Sequence, residues 1–169
     1  MAYLLIIFLI LIALAPLVWV KSSPRQQQIA RLRRLATTEG LHVTLCHAPD
    51  AREGEGRLDQ VKYTLSWPVN LATEEKPGQW LLLHHSRRGD PSPWQDWTWL
   101  NRSRDSATKQ SINEVVEKFT GDVSGLSCNA EGVQLYWREK GSEQELMGFV
   151  AALKELQKSL LNASIKTKV

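Results

Sequence analysis

Two adjacent histidines, His84 and His85, are the residues of this 169-residue chain best suited to acid–base or metal chemistry. Cys46-His47 and Cys128 are the other soft ligands that could join them. Zinc sites use paired ligands at short turn spacings such as C-x2-C or H-x3-H, and neither spacing occurs here. Neighbouring side chains of a strand point to opposite faces, so His84 and His85 are expected on opposite sides of a sheet, one buried and one solvated, unable to share a metal. Nucleophilic catalysis needs a nucleophile, a base and an orienting group brought together. Ser86 lies close in sequence to His84 and Asp90, but the chain has no G-x-S-x-G, no glycine-rich phosphate loop and no paired catalytic carboxylates. The residues therefore predict no catalytic, cofactor or metal site. An unfamiliar enzyme would reveal itself by a cleft joining His84 or His85 to Asp90.

Binding is better represented. The segment Ser86 to Arg104 reads SRRGDPSPWQDWTWLNRSR, with Arg87, Arg88, Arg102 and Arg104 flanking Trp94, Trp97 and Trp99. Trp and Arg anchor binding patches, and Trp also favours the bilayer interface. Pro91 and Pro93 stiffen the segment. Trp97 and Trp99 fall on one face of a strand and are expected in the core. Trp94, between Pro93 and Gln95, is the expected exposed aromatic. Arg87, Arg88, Trp94, Arg102 and Arg104 thus form the candidate contact surface.

These residues must be positioned by the rest of the chain, which begins with an uncharged run, Ala2 to Val20. At 1.5 Å per residue a helix of this length crosses a ~30 Å hydrocarbon core. No Lys or Arg precedes the run, and it exceeds a signal-peptide core, so an uncleaved anchor over 1–20 is expected. Lys21, Arg25, Arg31, Arg33 and Arg34 follow it. The positive-inside rule then places the N-terminus outside and residues 21–169 in the cytoplasm. The same cations would attract anionic lipid. Two cysteines do not make a disulfide framework. Residues 21–40 carry five basic groups and one acid (+4) of a total of +3, leaving −1 for residues 41–169. A nearly neutral domain argues against nucleic acid as a partner.

Ser23-Pro24-Arg25-Gln26 is a capping box opening a basic amphipathic helix with Ile29, Leu32, Leu35 and Ala36 on one stripe, stopped by Gly40. Period-two alternation predicts strands at Leu41–Cys46, Val61–Trp67 and Trp80–His85, with Trp97–Leu100 a fourth paired to the third. Residues 48–59 read as an exposed loop. Leu81 and Leu83 alternate with Trp80 and Leu82, so part of the sheet is expected to be covered on both sides. Ile112, Val115, Val116 and Phe119 predict a helix closed by Gly121. Val123–Cys128 and Val133–Trp137 flank a turn at 129–132. Ser142–Glu145 is a second capping box, opening a helix striped with Leu146, Phe149, Val150, Leu153, Leu156 and Leu160. The fold class is therefore α+β: after the anchor and the 21–40 helix, a 41–161 domain in the order β-β-β-(β)-α-β-β-α. Its mostly antiparallel sheet has four to six strands and helices on one face, and a flexible tail covers 162–169.

The junction VWVKSSPRQQQIARLRRLA resembles that of single-span bacterial inner-membrane proteins, among them the small accessory subunit of the Sec preprotein translocase. The chain lacks that subunit's glycine-rich turn after the junction, and its soluble part is longer. Together with PSPWQDWTWL and LYWREKG, the junction is similar to a group of uncharacterised bacterial membrane proteins sometimes labelled translocase subunits. The resemblance implies no activity and no functional residue. The expected function is a non-catalytic interaction module tethered to the inner membrane, with the bilayer and a membrane protein as partners. A translocase accessory subunit, a lipid sensor and an unrecognised enzyme are the alternatives.

Overall fold

Strand β2 (Gln60–Ser66) shows how the sequence builds the sheet: Val61, Tyr63 and Leu65 are buried on one face, while Lys62 on the other is only half covered. The computed structural model describes Tyr3 and residues 23–51, 60–70, 76–101, 106–119 and 121–166, with side chains through 164. Apart from Tyr3, the expected membrane span lies outside the described residues, as do Lys21, Arg102 and Arg104. Among the described residues no helix is long and apolar enough to cross a membrane. Two compact units are present, 1–31 and 32–169, with the boundary inside helix α1 (Pro24–Thr38).

In the first unit the capping box forms as expected. Ser23 N–H donates to Gln26 Oε1 at 3.0 Å, and Gln26 N–H donates to Ser23 Oγ at 3.2 Å. Arg25 and Arg31 are exposed.

The second unit is α+β. Strands β1 (Leu41–Cys46), β2, β3 (Trp80–His84), β4 (Asp90–Pro91), β5 (Trp97–Asn101), β6 (Val123–Cys128) and β7 (Gly132–Trp137) form one sheet, ordered β1-β2-β7-β6-β3-β5-β4. Every pairing is antiparallel. The seventh strand exceeds the expected four to six. It is the two-residue β4, too short to show period two and containing a proline that only an edge tolerates. Gly132 opens β7 where a side chain is impossible: an added Cβ would lie 2.1 Å from the Leu65 carbonyl oxygen.

Register places Leu41, Leu65, Val133, Cys128 and Trp80 in one row, and Val43, Tyr63, Leu135, Leu126, Leu82 and Trp99 in the next. This face carries the core, shared with Leu32 and Ala36 of α1 and the apolar stripe of α3 (Glu143–Lys166). The second capping box forms at Ser142–Glu145. Helix α3 runs to Lys166, past the expected end near 161, because Asn162-Ala163-Ser164 contains no helix breaker. The helix expected around 112–119 is instead α2 (Ser106–Asn113), packed against α3 and followed by a 3-10 turn at Val116–Lys118. Its apolar residues Ile112, Val115, Val116 and Phe119 are all buried.

The opposite face is polar yet largely covered. Ser127 Oγ donates to Gln134 Oε1 at 2.9 Å, Gln134 Nε2 donates to Glu131 Oε2 at 2.9 Å, and Ser124 Oγ donates to Gln60 Oε1. Satisfied in this way, buried Gln60, Ser127 and Gln134 avoid the cost of unpaired polar groups. Leu83 is fully buried on this face, fulfilling the expectation of two-sided cover. Residues 48–51, expected to be exposed, are half-buried. Gly125 explains why: a Cβ there would stand 3.2 Å from Pro49 Cγ. A glycine in the strand thus leaves room for the chain to lie close against it.

One charged group among the described residues is sealed from solvent. Glu139 is 3% exposed and has φ of 56°. Arg33 grips its carboxylate with two hydrogen bonds, Nε at 2.8 Å and a terminal nitrogen at 2.6 Å, and the Tyr63 hydroxyl donates a third at 2.7 Å. The hydrogen bond from Arg33 to Glu139 raises the Arg33 pKa, and burial followed by the Glu139 contact raises that of Tyr63. Arg33, expected among the membrane-proximal cations, forms this clamp, which fixes residues 32–38 of α1 to the turn after β7.

Candidate functional site

The β3–β5 connection, residues 85–96, departs most from its expected course. Left-handed backbone at His85 (φ 53°) and Asp96 (φ 62°) ends both strands, and His85 N–H donates to the Asp96 carbonyl at 2.8 Å. Strand alternation therefore does not apply across His84-His85. The rings do not sit on opposite faces; they lie with centroids 3.8 Å apart. Trp97, directly across the ladder from His84, stacks on it at 4.4 Å and 23°. His84 is half-buried and His85 exposed. His84 Nδ1 lies 2.9 Å from the Val123 carbonyl oxygen. A carbonyl only accepts, so Nδ1 carries the proton and Nε2 of the neutral ring keeps its lone pair. Burial lowers the His84 pKa, outweighing the Val123 bond, which raises it.

The loop is held from both sides. Ser86 Oγ donates to Asp50 Oδ2 at 3.1 Å and the Arg88 guanidinium donates to the Asp50 carbonyl. Arg88 N–H donates to Ser86 Oγ at 3.2 Å, and Thr98 Oγ1 donates to the Arg88 carbonyl at 2.8 Å. Gly89 (φ 99°) passes so close to β5 that a Cβ would lie 2.3 Å from the Trp99 carbonyl oxygen. Further on, Ser92 Oγ lies 2.6 Å from the Trp97 carbonyl and accepts from Trp94 N–H at 3.2 Å.

Trp94 is not the freely exposed aromatic expected. It is half-buried, its ring lies 5.7 Å from that of Trp99, and its indole N–H donates to Asn113 Oδ1 at 3.0 Å. Trp97 and Trp99 are buried as expected. Arg87 is exposed; Arg88 is exposed but tied to Asp50. On α1, Arg31 and Arg34 are exposed.

Three clefts meet at this end of the sheet. One of about 530 Å3 lies between His85, Ser86, Pro91, Ser92, Trp94 and Asp96. One of about 620 Å3 shares Trp94 and Asp96 with it and reaches Asn113, Glu117 and Phe119. A third of about 250 Å3 runs from the His pair to Asp50, Gln60, Asp122, Ser124 and Arg138. Asp90 lines none of them; it stands exposed on β4, opposite Trp99. The enzyme-like pairing of a histidine with Asp90 therefore does not form. Ser86 Oγ gives its proton to a carboxylate, not an imidazole. Among the described residues no three His, Cys, Asp or Glu side chains are grouped to hold a metal.

Asp50, Asp96 and Asn113 are the site residues that sequence reasoning missed. Asp96 follows Trp94-Gln95, and Asn and Asp tolerate left-handed backbone, which is the one local signal that could have marked the end of the loop. Nothing in the sequence pairs Asp50 with Ser86 or Asn113 with Trp94. No protein-family model matches this chain, and neither a curated protein nor a solved structure is detectably similar to it.

Proposed function

We propose that this chain is a non-catalytic interaction module tethered to a bacterial inner membrane, and that the β3–β5 loop is where it meets its partner. The observation that carries the reading is the loop itself. It presents His85, Arg87, Pro93 and Gln95 to solvent, yet its course is held by Asp50, Thr98 and Asn113. Recognition residues sit on loops that a scaffold positions, and a loop ordered beforehand loses little entropy on binding. Clefts beside an aromatic are the usual seat of an interface anchor. The tether rests on the uncharged run Ala2–Val20 and the basic residues that follow it. On this reading the domain lies on the cytoplasmic side, and its partner is a membrane protein.

The test is capture of the full-length protein from mildly solubilised membranes after in-cell crosslinking, for wild type and for Arg87→Ala and Gln95→Ala. Both substitutions are at exposed positions, so the fold should survive. A discrete partner, weakened several-fold by the loop variants, is the expected result. A partner recovered equally with all three proteins would move the interface elsewhere. If that partner is the protein-conducting channel, the chain is a translocase accessory subunit.

A further inference from the structure

The larger cleft beside Trp94 has a definite chemistry. Its apolar walls are Trp94, Trp97 and Phe119, and its charged groups are the carboxylates of Asp96 and Glu117, with Asn113 adding a polar side chain. Among the described residues no Lys or Arg lines it. Its other ionisable members are the two histidines, and His84 is held neutral near pH 7 by its burial. Asp96 also borders the neighbouring cleft that shares Trp94, where again no Lys or Arg is present among the described residues. Exposed Arg87 lines neither cleft, and Arg88 is turned to the Asp50 carbonyl.

An indole face beside carboxylates, in a recess of about 620 Å3, suits a cation carried on an apolar stem. The ring quadrupole attracts the charge, the carboxylates add Coulomb attraction, and the apolar wall covers the stem. Trp94 is fixed for this task by its bond to Asn113 and its packing on Trp99, so one edge is anchored while the side chain stays half-exposed.

We infer that the Trp94–Asp96–Glu117 cleft binds an organic cation, an alkylammonium or guanidinium group. This deepens the reading of the loop as a recognition surface and rests on it: the group would be a Lys or Arg side chain of the partner or a small free ammonium compound.

The experiment follows the Trp94 indole N–H in the full-length protein in non-ionic detergent by two-dimensional NMR, assigned by its disappearance in Trp94→Phe. The probes are N-acetyl-lysine amide, N-acetyl-arginine amide and choline. The controls are the uncharged choline isostere 3,3-dimethyl-1-butanol and sodium chloride at equal ionic strength. The cations are expected to shift the Trp94 signal saturably, and the neutral isostere and salt are not. Glu117→Gln and Asp96→Asn should each weaken the response about two- to five-fold, the range for a partly solvated charge pair. Preference for the amino-acid amides identifies a basic side chain, and preference for choline identifies a free ligand; either supports the inference. A response to the neutral isostere equal to that of choline, or no saturable response to any cation, overturns it. Crosslinking at the loop without cation binding would sink this inference alone, whereas cation binding without any loop-dependent partner would sink the interaction reading.

Discussion

Replacing Arg33 with alanine isolates the energetics of the buried carboxylate. Among the described residues Glu139 would keep only the Tyr63 hydroxyl at 2.7 Å as a hydrogen-bond donor, having lost two charged bonds at 2.8 and 2.6 Å. Breaking a fully buried pair costs about 3–5 kcal/mol, because the remaining charge is stranded. Here the Arg33 side chain is 37% exposed, so water partly replaces it. Discounting for that solvation, the expected loss is about 2–3 kcal/mol. Tyr63→Phe removes one hydrogen bond to a charged group and should cost about 1.5–2 kcal/mol. The two act on the same carboxylate, so the double variant should depart from additivity by about 0.5 kcal/mol or more. Urea unfolding of the full-length protein, followed by tryptophan fluorescence, reads these values. Trp137, 5.9 Å from Tyr63, reports on this region. A loss below about 0.5 kcal/mol for Arg33→Ala, the scale of ordinary surface changes, would refute the clamp.

Four further outcomes follow from the geometry. Gly89→Ala should destabilise by about 2 kcal/mol or more, since it adds left-handed strain to a Cβ 2.3 Å from the Trp99 oxygen; chemical denaturation checks it. The His84 imidazole, observed by NMR, should titrate below its ordinary value of 6.5. The unfolded chain then takes up a proton first as pH falls below about 6.5, so stability drops in acid, and His84→Gln should flatten that part of the profile. Burial pushes the Cys128 thiol up to about 12. Between its ordinary value near 9 and that value only the unfolded chain loses the proton, so stability should fall as pH rises, and less steeply in Cys128→Ala. Trp80 Nε1 is buried without a hydrogen-bond partner among the described residues, so Trp80→Phe should cost less than about 3 kcal/mol, because an unsatisfied donor disappears with the lost area.

Local rules made much of this fold legible. Both capping boxes formed because their reciprocal bonds involve residues three apart. The period-two runs in β1 and β2 became strands because Leu41, Val43, Val61, Tyr63 and Leu65 had an apolar core to meet. The His84-His85 pair was misread because alternation was carried one residue too far. The strand ends at His84, and left-handed backbone at His85 returns its ring to its neighbour. Trp94 was read as exposed because it lies outside the strand, between Pro93 and Gln95, but its indole nitrogen found Asn113, nineteen positions away. Arg33 looked like its neighbours Arg31 and Arg34, yet its partner Glu139 lies 106 positions on. Such long-range pairs have no local pattern, and a buried glutamate cannot be told from an exposed one until the fold brings its arginine to it.

The β3–β5 loop as recognition surface is tested most directly by placing a photo-crosslinking amino acid at Gln95 and, as a control, at Met147 on α3, in the full-length protein inside the cell. Both positions are exposed. A discrete adduct with a membrane protein from position 95, reduced by Glu117→Gln and not formed from position 147, is the expected result. Adducts of equal yield from both positions, or from position 147 alone, would contradict it.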